Sequence, residues 1–166
     1  MKKINRIVRH LLASNAQVKR CFPEKTMLAI EQAIKASEAR HLGEIRFVVE
    51  AALDGMPLFK SHSASARALE VFSHLRIWDT EHNNGILIYL LLADRDVEIV
   101  ADRGIHVKAG AGEWDRICHI MEVAFKHGHY EKGVIAGIQA ITQHLHNHFP
   151  ADGHNKNELP DIPVVL

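Results

Sequence analysis

The sequence predicts an α/β fold, a three-layer α/β/α sandwich around a small mixed sheet in the order ααβαββαα. Three observations carry that prediction. Residues 86–92, ILIYLLL, form an unbroken apolar run, too short to cross a bilayer and apolar on both faces, as a covered central strand must be. EIRFVVEAAL at 44–53 and DVEIVA at 96–101 are rich in the β-branched and aromatic residues that suit a pleated surface. Around them, apolar residues recur at three- and four-residue intervals, the helical period.

The elements follow in order. Ile4, Ile7, Val8, Leu11 and Leu12 fall on one face of a first amphipathic helix over 3–14. NAQVKRCFPEK breaks the pattern, and Pro23 suits the first turn of a second helix that runs to Arg40. Strand 1 covers 44–53, with a turn at Asp54-Gly55-Met56-Pro57. Ala64, Ala68, Val71, Phe72, Leu75 and Trp78 place a third helix over 63–78. Strand 2 covers 85–93 and strand 3 covers 96–101. Their link is too short for a helix, so they pair as an antiparallel hairpin across Asp94-Arg95. Strands 1 and 2 flank a helix and are expected to be parallel with a right-handed crossover. Helix 4 begins at Gly112 or Glu113 and ends near Lys126, with Gly128 past its C-terminus. Helix 5 covers 130–149, and PADGHNKNELPDIPVVL is expected to be extended. The expected organisation is an N-terminal helix and connection over 1–22, a main domain over 23–149 and a tail over 150–166.

Bulk composition narrows the function. The 166 residues carry 20 Lys and Arg against 20 Asp and Glu. With no cationic excess to neutralise phosphates, nucleic acid is not the expected partner, nor is an anionic membrane surface. Cys21 and Cys118 stand far apart, giving neither a disulfide framework nor a zinc spacing, which favours a reduced cytoplasmic home. MKKINRIVRHLLASNA begins like a signal peptide, but Arg6, Arg9 and His10 interrupt its apolar part. A soluble protein without direct membrane insertion is expected, with a protein as partner; nothing sets its oligomeric state.

The topology sorts the charged residues to two ends of the sheet. Asp54, Asp94, Arg95 and Asp96 gather at the hairpin end, where Asp-Arg-Asp reads as a solvated turn. At the opposite end Asp79, Glu81, His82, Asn83, Asn84, Asp102, Arg103 and His106 are expected to converge. Oxygen ligands with imidazoles suit a divalent metal, calcium, magnesium, manganese or zinc. Asp79, His82, Asn83, Asp102 and His106 are the candidate metal ligands, and Gly85 and Gly104 leave room for close backbone approach. The alternative is a polar loop cluster. His144 and His148 share a helix face, His127 and His129 flank Gly128, and His154 lies in the tail. Gly110-Ala111-Gly112 precedes a helix, where free amides can meet an anion. No nucleophile motif, phosphate loop or dinucleotide fingerprint is present, so the catalytic residues are unassigned.

Residues 78–106 resemble the signature of the TPM domain family. Trp78 matches its aromatic helix end, Asn83-Asn84-Gly85 its Asp-Asn-Gly, and Asp94-Arg95 its acidic turn. GHYEKGVIAGIQAI, at 128–141, is similar to its later Gly-x-Tyr-x-x-Gly helix start. The likeness spans about residues 24–149. It implies an α/β/α sandwich, divalent metal binding (calcium in particular) and relatives that include a thylakoid lumen acid phosphatase, a photosystem II repair factor and a nicotinic receptor auxiliary subunit. Two departures stand out. Asn83 replaces the Asp of Asp-Asn-Gly, and Gly-Tyr-Gly-Leu-Glu reads Asp102-Arg103-Gly104-Ile105-His106. The implied function is a binding or regulatory module. The alternative is a metal-assisted phosphatase with Asp102 and Asn83 on the metal and Arg103 facing phosphate.

Overall fold

The computed structural model describes residues 2–53, 63–153 and 156–166. The Asp54–Pro57 turn, His154 and the side chain of Ile4 lie outside the described residues. Among those described, the elements are α1 (Lys2–Leu12), α2 (Asn15–Cys21), α3 (Glu24–Glu38), β1 (Glu44–Glu50), α4 (Ala64–His74), β2 (Gly85–Leu91), β3 (Asp96–Ala101), α5 (Arg103–Ala109), α6 (Ala111–Lys126), α7 (Tyr130–His148) and β4 (Val164–Val165).

The sheet order is β3-β2-β1-β4. β1 and β2 are parallel, β2 and β3 antiparallel, and β4 adds parallel to the free edge of β1. Every residue of β1 and β2 is buried, so both are covered on two faces. Strand alternation divides the core. Phe47, Val49, Ile86, Ile88 and Leu90 pack under α3, α6 and α7 through Ile34, Ile117 and Ile138. Val48, Leu87, Tyr89 and Leu91 pack on the other face under α4 through Ala68 and Val71, joined by Leu159 and Val164 of the C-terminal tail. The sandwich and the hairpin are therefore as the sequence predicts.

Three segments differ. Residues 15–21, expected as a break, form α2, which plants Val18 and Phe22 in the first core cluster. Residues 103–109, expected as a loop, form α5, capped by Asp102. The tail is mostly irregular, but Val164 and Val165 pair with Val48 and Val49 as β4.

Helix α1 is docked differently from its apolar pattern. Val8, Leu11 and Leu12 are 47%, 72% and 76% exposed, whereas His10 is buried. The reason is ionic. Asp94 in the hairpin turn faces Arg6 at 2.8 Å, Arg9 at 3.2 Å and His10 at 3.1 Å. The Leu53 N–H donates to His10 Nδ1 at 2.9 Å, which leaves the proton of a neutral ring on Nε2, beside Asp94. Asp94 is thus an anchor for α1 and not a merely solvated turn residue.

Candidate functional site

The loops at the start of β2 and the end of β3 do meet. The Asp102 N–H donates to the Gly85 carbonyl, and the Gly104 N–H donates to the Asn83 carbonyl, both at 2.9 Å. Asp102 Oδ1 accepts from the Arg103 N–H at 2.6 Å, capping α5. Arg103 Nε donates to Asn83 Oδ1 at 3.1 Å. Asn83 holds a left-handed backbone, φ 51°, which asparagine tolerates better than most residues. A Cβ on Gly104 would lie 2.5 Å from the Asn83 carbonyl oxygen and 2.6 Å from that of His82, so only glycine fits under this loop. Gly85 is equally constrained by the Ile77 carbonyl.

Of the candidate ligands, the structure ties Asn83 and Asp102 together through Arg103. It spends the others elsewhere. The His82 ring lies against Phe149, at 6.5 Å between centroids. His106 lines a groove beside β3. Asp79 is exposed, with its N–H bonded to the Arg76 carbonyl. The Glu81 N–H is held by the Glu158 carboxylate.

This donor set is a poor match to a divalent cation. Arg103, a permanent cation, stands between the two oxygen donors and takes the amide oxygen that a metal would need. Asn84 Oδ1 and Asp102 Oδ2 are buried without a hydrogen-bond partner, which invites an occupant at each. A single water at each can satisfy a lone acceptor of this kind. Among the described residues, no group of three or more His, Cys, Asp or Glu is disposed to hold a metal ion.

His144 and His146 have partners within the fold. His144 Nε2 lies 3.3 Å from Glu113, and its ring packs against Trp114. His146 Nδ1 contacts the Arg40 carbonyl at 3.0 Å. Gly128 takes φ 75° beyond α6, as a residue past a helix end does.

Two buried polar networks escape a reading of motifs. At the carboxyl end of β1, Arg67 makes a bidentate pair with Glu50 at 2.9 and 3.0 Å, and the Tyr89 hydroxyl donates to the same carboxylate at 2.5 Å. Burial foremost, then this hydrogen bond, pushes the Tyr89 phenol well above its ordinary range. At the amino end, Glu44 accepts from the Glu158 and Leu159 N–H groups at 3.2 and 3.1 Å, pinning the tail across β1. Glu38 accepts from the Ile45 N–H at 3.0 Å. Burial, with Glu44 and Asp161 close by, pushes the Glu38 carboxyl up to about 9, so it is protonated at neutral pH. His41, also buried, bonds Ser37 at 2.7 Å and is pushed down to about 4 by desolvation. The sequence signal for both networks was the alternation Glu44, Arg46, Glu50 within an otherwise apolar buried strand.

Comparison with known proteins places the chain. A family model described as the TPM domain matches residues 19–144. No curated protein matches it. Among solved structures it is similar to the BA42 protein of the psychrophilic bacterium Bizionia argentinensis, at 28% identity and a TM-score of 0.76, over 86% of this chain and 93% of that one. It also shares its fold with the N-terminal domain of a P. gingivalis protein, at 18% identity and a TM-score of 0.60, over 82% and 90% of the respective chains.

Proposed function

Because the chain belongs to the TPM domain family, we propose that it acts as a binding and regulatory module for a protein partner and not as a metal-assisted phosphatase. The observation that carries this reading is the surface next to the loop pair. A groove of about 420 Å³ runs beside β3 between α4 and α5, walled by Leu69, Ile99, Val100 and Val107, with Arg103 and His106 at its rim. Leu69 is 55% exposed and Val107 81%. Apolar side chains left in water around a concave surface with a polar rim suit a partner's apolar side chain. Asn83 Oδ1 and Asp102 Oδ1 are already engaged by Arg103, and the reading needs no metal.

The test joins three measurements. Calorimetric titration with calcium, magnesium, manganese and zinc is expected to give no heat of specific binding. Hydrolysis of p-nitrophenyl phosphate is expected to stay at background with and without those ions. A Val107→Asp bait is expected to lose the partner that the unaltered protein recovers. Metal-dependent hydrolysis that disappears in Asp102→Ala, with the fold intact by circular dichroism, would instead make the phosphatase the correct reading.

A further inference from the structure

We propose a second binding site, independent of that reading, in the cleft between the α1–α2 junction and the β2–β3 hairpin, for a small organic anion with an oxyanion head on a short apolar body. The cleft has a volume of about 430 Å³, and Arg9, Leu12, Gln17, Leu92, Ala93 and Arg95 are among its lining residues. Two arginines from two different elements therefore line one cleft. Their planar forks suit the oxygens of a carboxylate or a phosphate. Gln17 adds an amide donor, and Leu12 and Leu92 supply the apolar wall.

The two arginines differ in what already holds them. Arg9 gives one nitrogen, Nη2, to Asp94 and remains 55% exposed in its side chain. The Arg95 side chain has no hydrogen-bond or ion-pair partner among the described residues, and its charge is felt by Tyr130. The facing carboxylate of Asp94 does not cancel this pair, because it is shared among Arg6, Arg9 and His10.

Arg95 adopts φ 54°, a left-handed conformation that the hairpin turn requires and that glycine would take more freely. The hairpin also lies beyond the carboxyl ends of the parallel strands β1 and β2, where open α/β sheets characteristically receive ligands. Helix α1 closes one side of the cleft, so the site depends on the contact that docks it.

The full chain would be titrated with benzoate and with phenyl phosphate, against sodium chloride at equal ionic strength, following melting temperature and chemical-shift changes at Gln17 and Ala93. A saturable response to either anion beyond that of chloride is expected. Benzoate alone identifies a carboxylate head, phenyl phosphate alone a phosphate head, and both a general oxyanion site. Arg95→Gly should keep or raise the melting temperature, because glycine takes this φ freely, and should weaken binding at least about tenfold. Arg95→Asn, also tolerant of the left-handed region, serves if the glycine variant folds poorly. An equal response in the folded Arg95 variants, or no response beyond chloride with either anion, would overturn the proposal.

Discussion

Glu38→Gln isolates the energetics of the buried amino-terminal network. Glu38 is 6% exposed, and its carboxyl is pushed up to about 9 from 4.5. The unfolded chain ionises near 4.5, while the folded chain keeps the proton. The stability that Glu38 contributes is therefore complete below pH 4.5 and drains away as pH rises through the folded value. At about 1.4 kcal/mol per pH unit, the loss reaches on the order of 3 kcal/mol by pH 7, and roughly 2 kcal/mol more disappears by pH 9. Glutamine mimics the protonated acid. Its oxygen can accept from the Ile45 N–H, and its amide can donate to Asp161, which bonds the protonated carboxyl. The variant is thus expected to be more stable than the unaltered protein at pH 7, by an amount that grows toward pH 9. Each kcal/mol corresponds to about 2–4 °C in a chain of this size. Urea unfolding of both proteins at pH 5, 7 and 9 measures the difference. Glu44 and the other shifted carboxyls act in both proteins and cancel. A difference that stays constant with pH, or a variant less stable at every pH, would refute a protonated Glu38.

His41 gives the mirror-image case. Its folded value is lowered to about 4, so its contribution is present above pH 6.5 and fades as pH falls to 4; its ring resonances should show no titration between pH 5 and 8. Asp94→Asn removes the charge that Arg6, Arg9 and His10 share, and should cost about 1–3 kcal/mol while making residues 2–14 more susceptible to limited proteolysis. Arg67→Met leaves the Glu50 carboxylate buried without its cation and should cost about 3–5 kcal/mol by chemical denaturation. Tyr89→Phe removes one hydroxyl from the same carboxylate and should cost only about 1–2 kcal/mol. Gly104→Ala drives a methyl group into two carbonyl oxygens and should lower stability by about 2 kcal/mol or more, with changes in amide shifts concentrated at residues 82–84.

The sheet was legible because its strands are buried on both faces and therefore almost wholly apolar. That property survives in the sequence without help from tertiary contacts. The meeting of Asn83 with Asp102 and Arg103 was also legible, since a hairpin necessarily returns its two flanks to one end. What hid was anything decided by a side chain's partner. Asn83 and Asp102 look like metal ligands on paper, and one oxygen of each, Asn83 Oδ1 and Asp102 Oδ1, accepts a hydrogen bond from Arg103 at the start of α5. His10 and Arg6 look like interruptions of an apolar face, yet they are the residues that dock α1. Residues 103–109 were unreadable as a helix because Gly104 and the β-branched Ile105 and Val107 argue against one; the Asp102 cap and the buried Ile105 decide it.

The pairing of β4 with β1 has a consequence for how the chain is made. Val48 and Val49 find Val164 and Val165 only after more than a hundred intervening residues have been synthesised. Until then the outer edge of a strand with an apolar centre, Phe47 to Val49, stands open on the nascent chain, where it invites pairing with other chains. Glu44, the carboxylate that later receives the tail, lies at the start of that same strand. An unpartnered acidic group there discourages a neighbouring strand from docking in register. The residue that latches the finished fold thus also guards the unfinished one, and crowding of translating ribosomes should raise aggregation more in Glu44→Leu than in the unaltered chain.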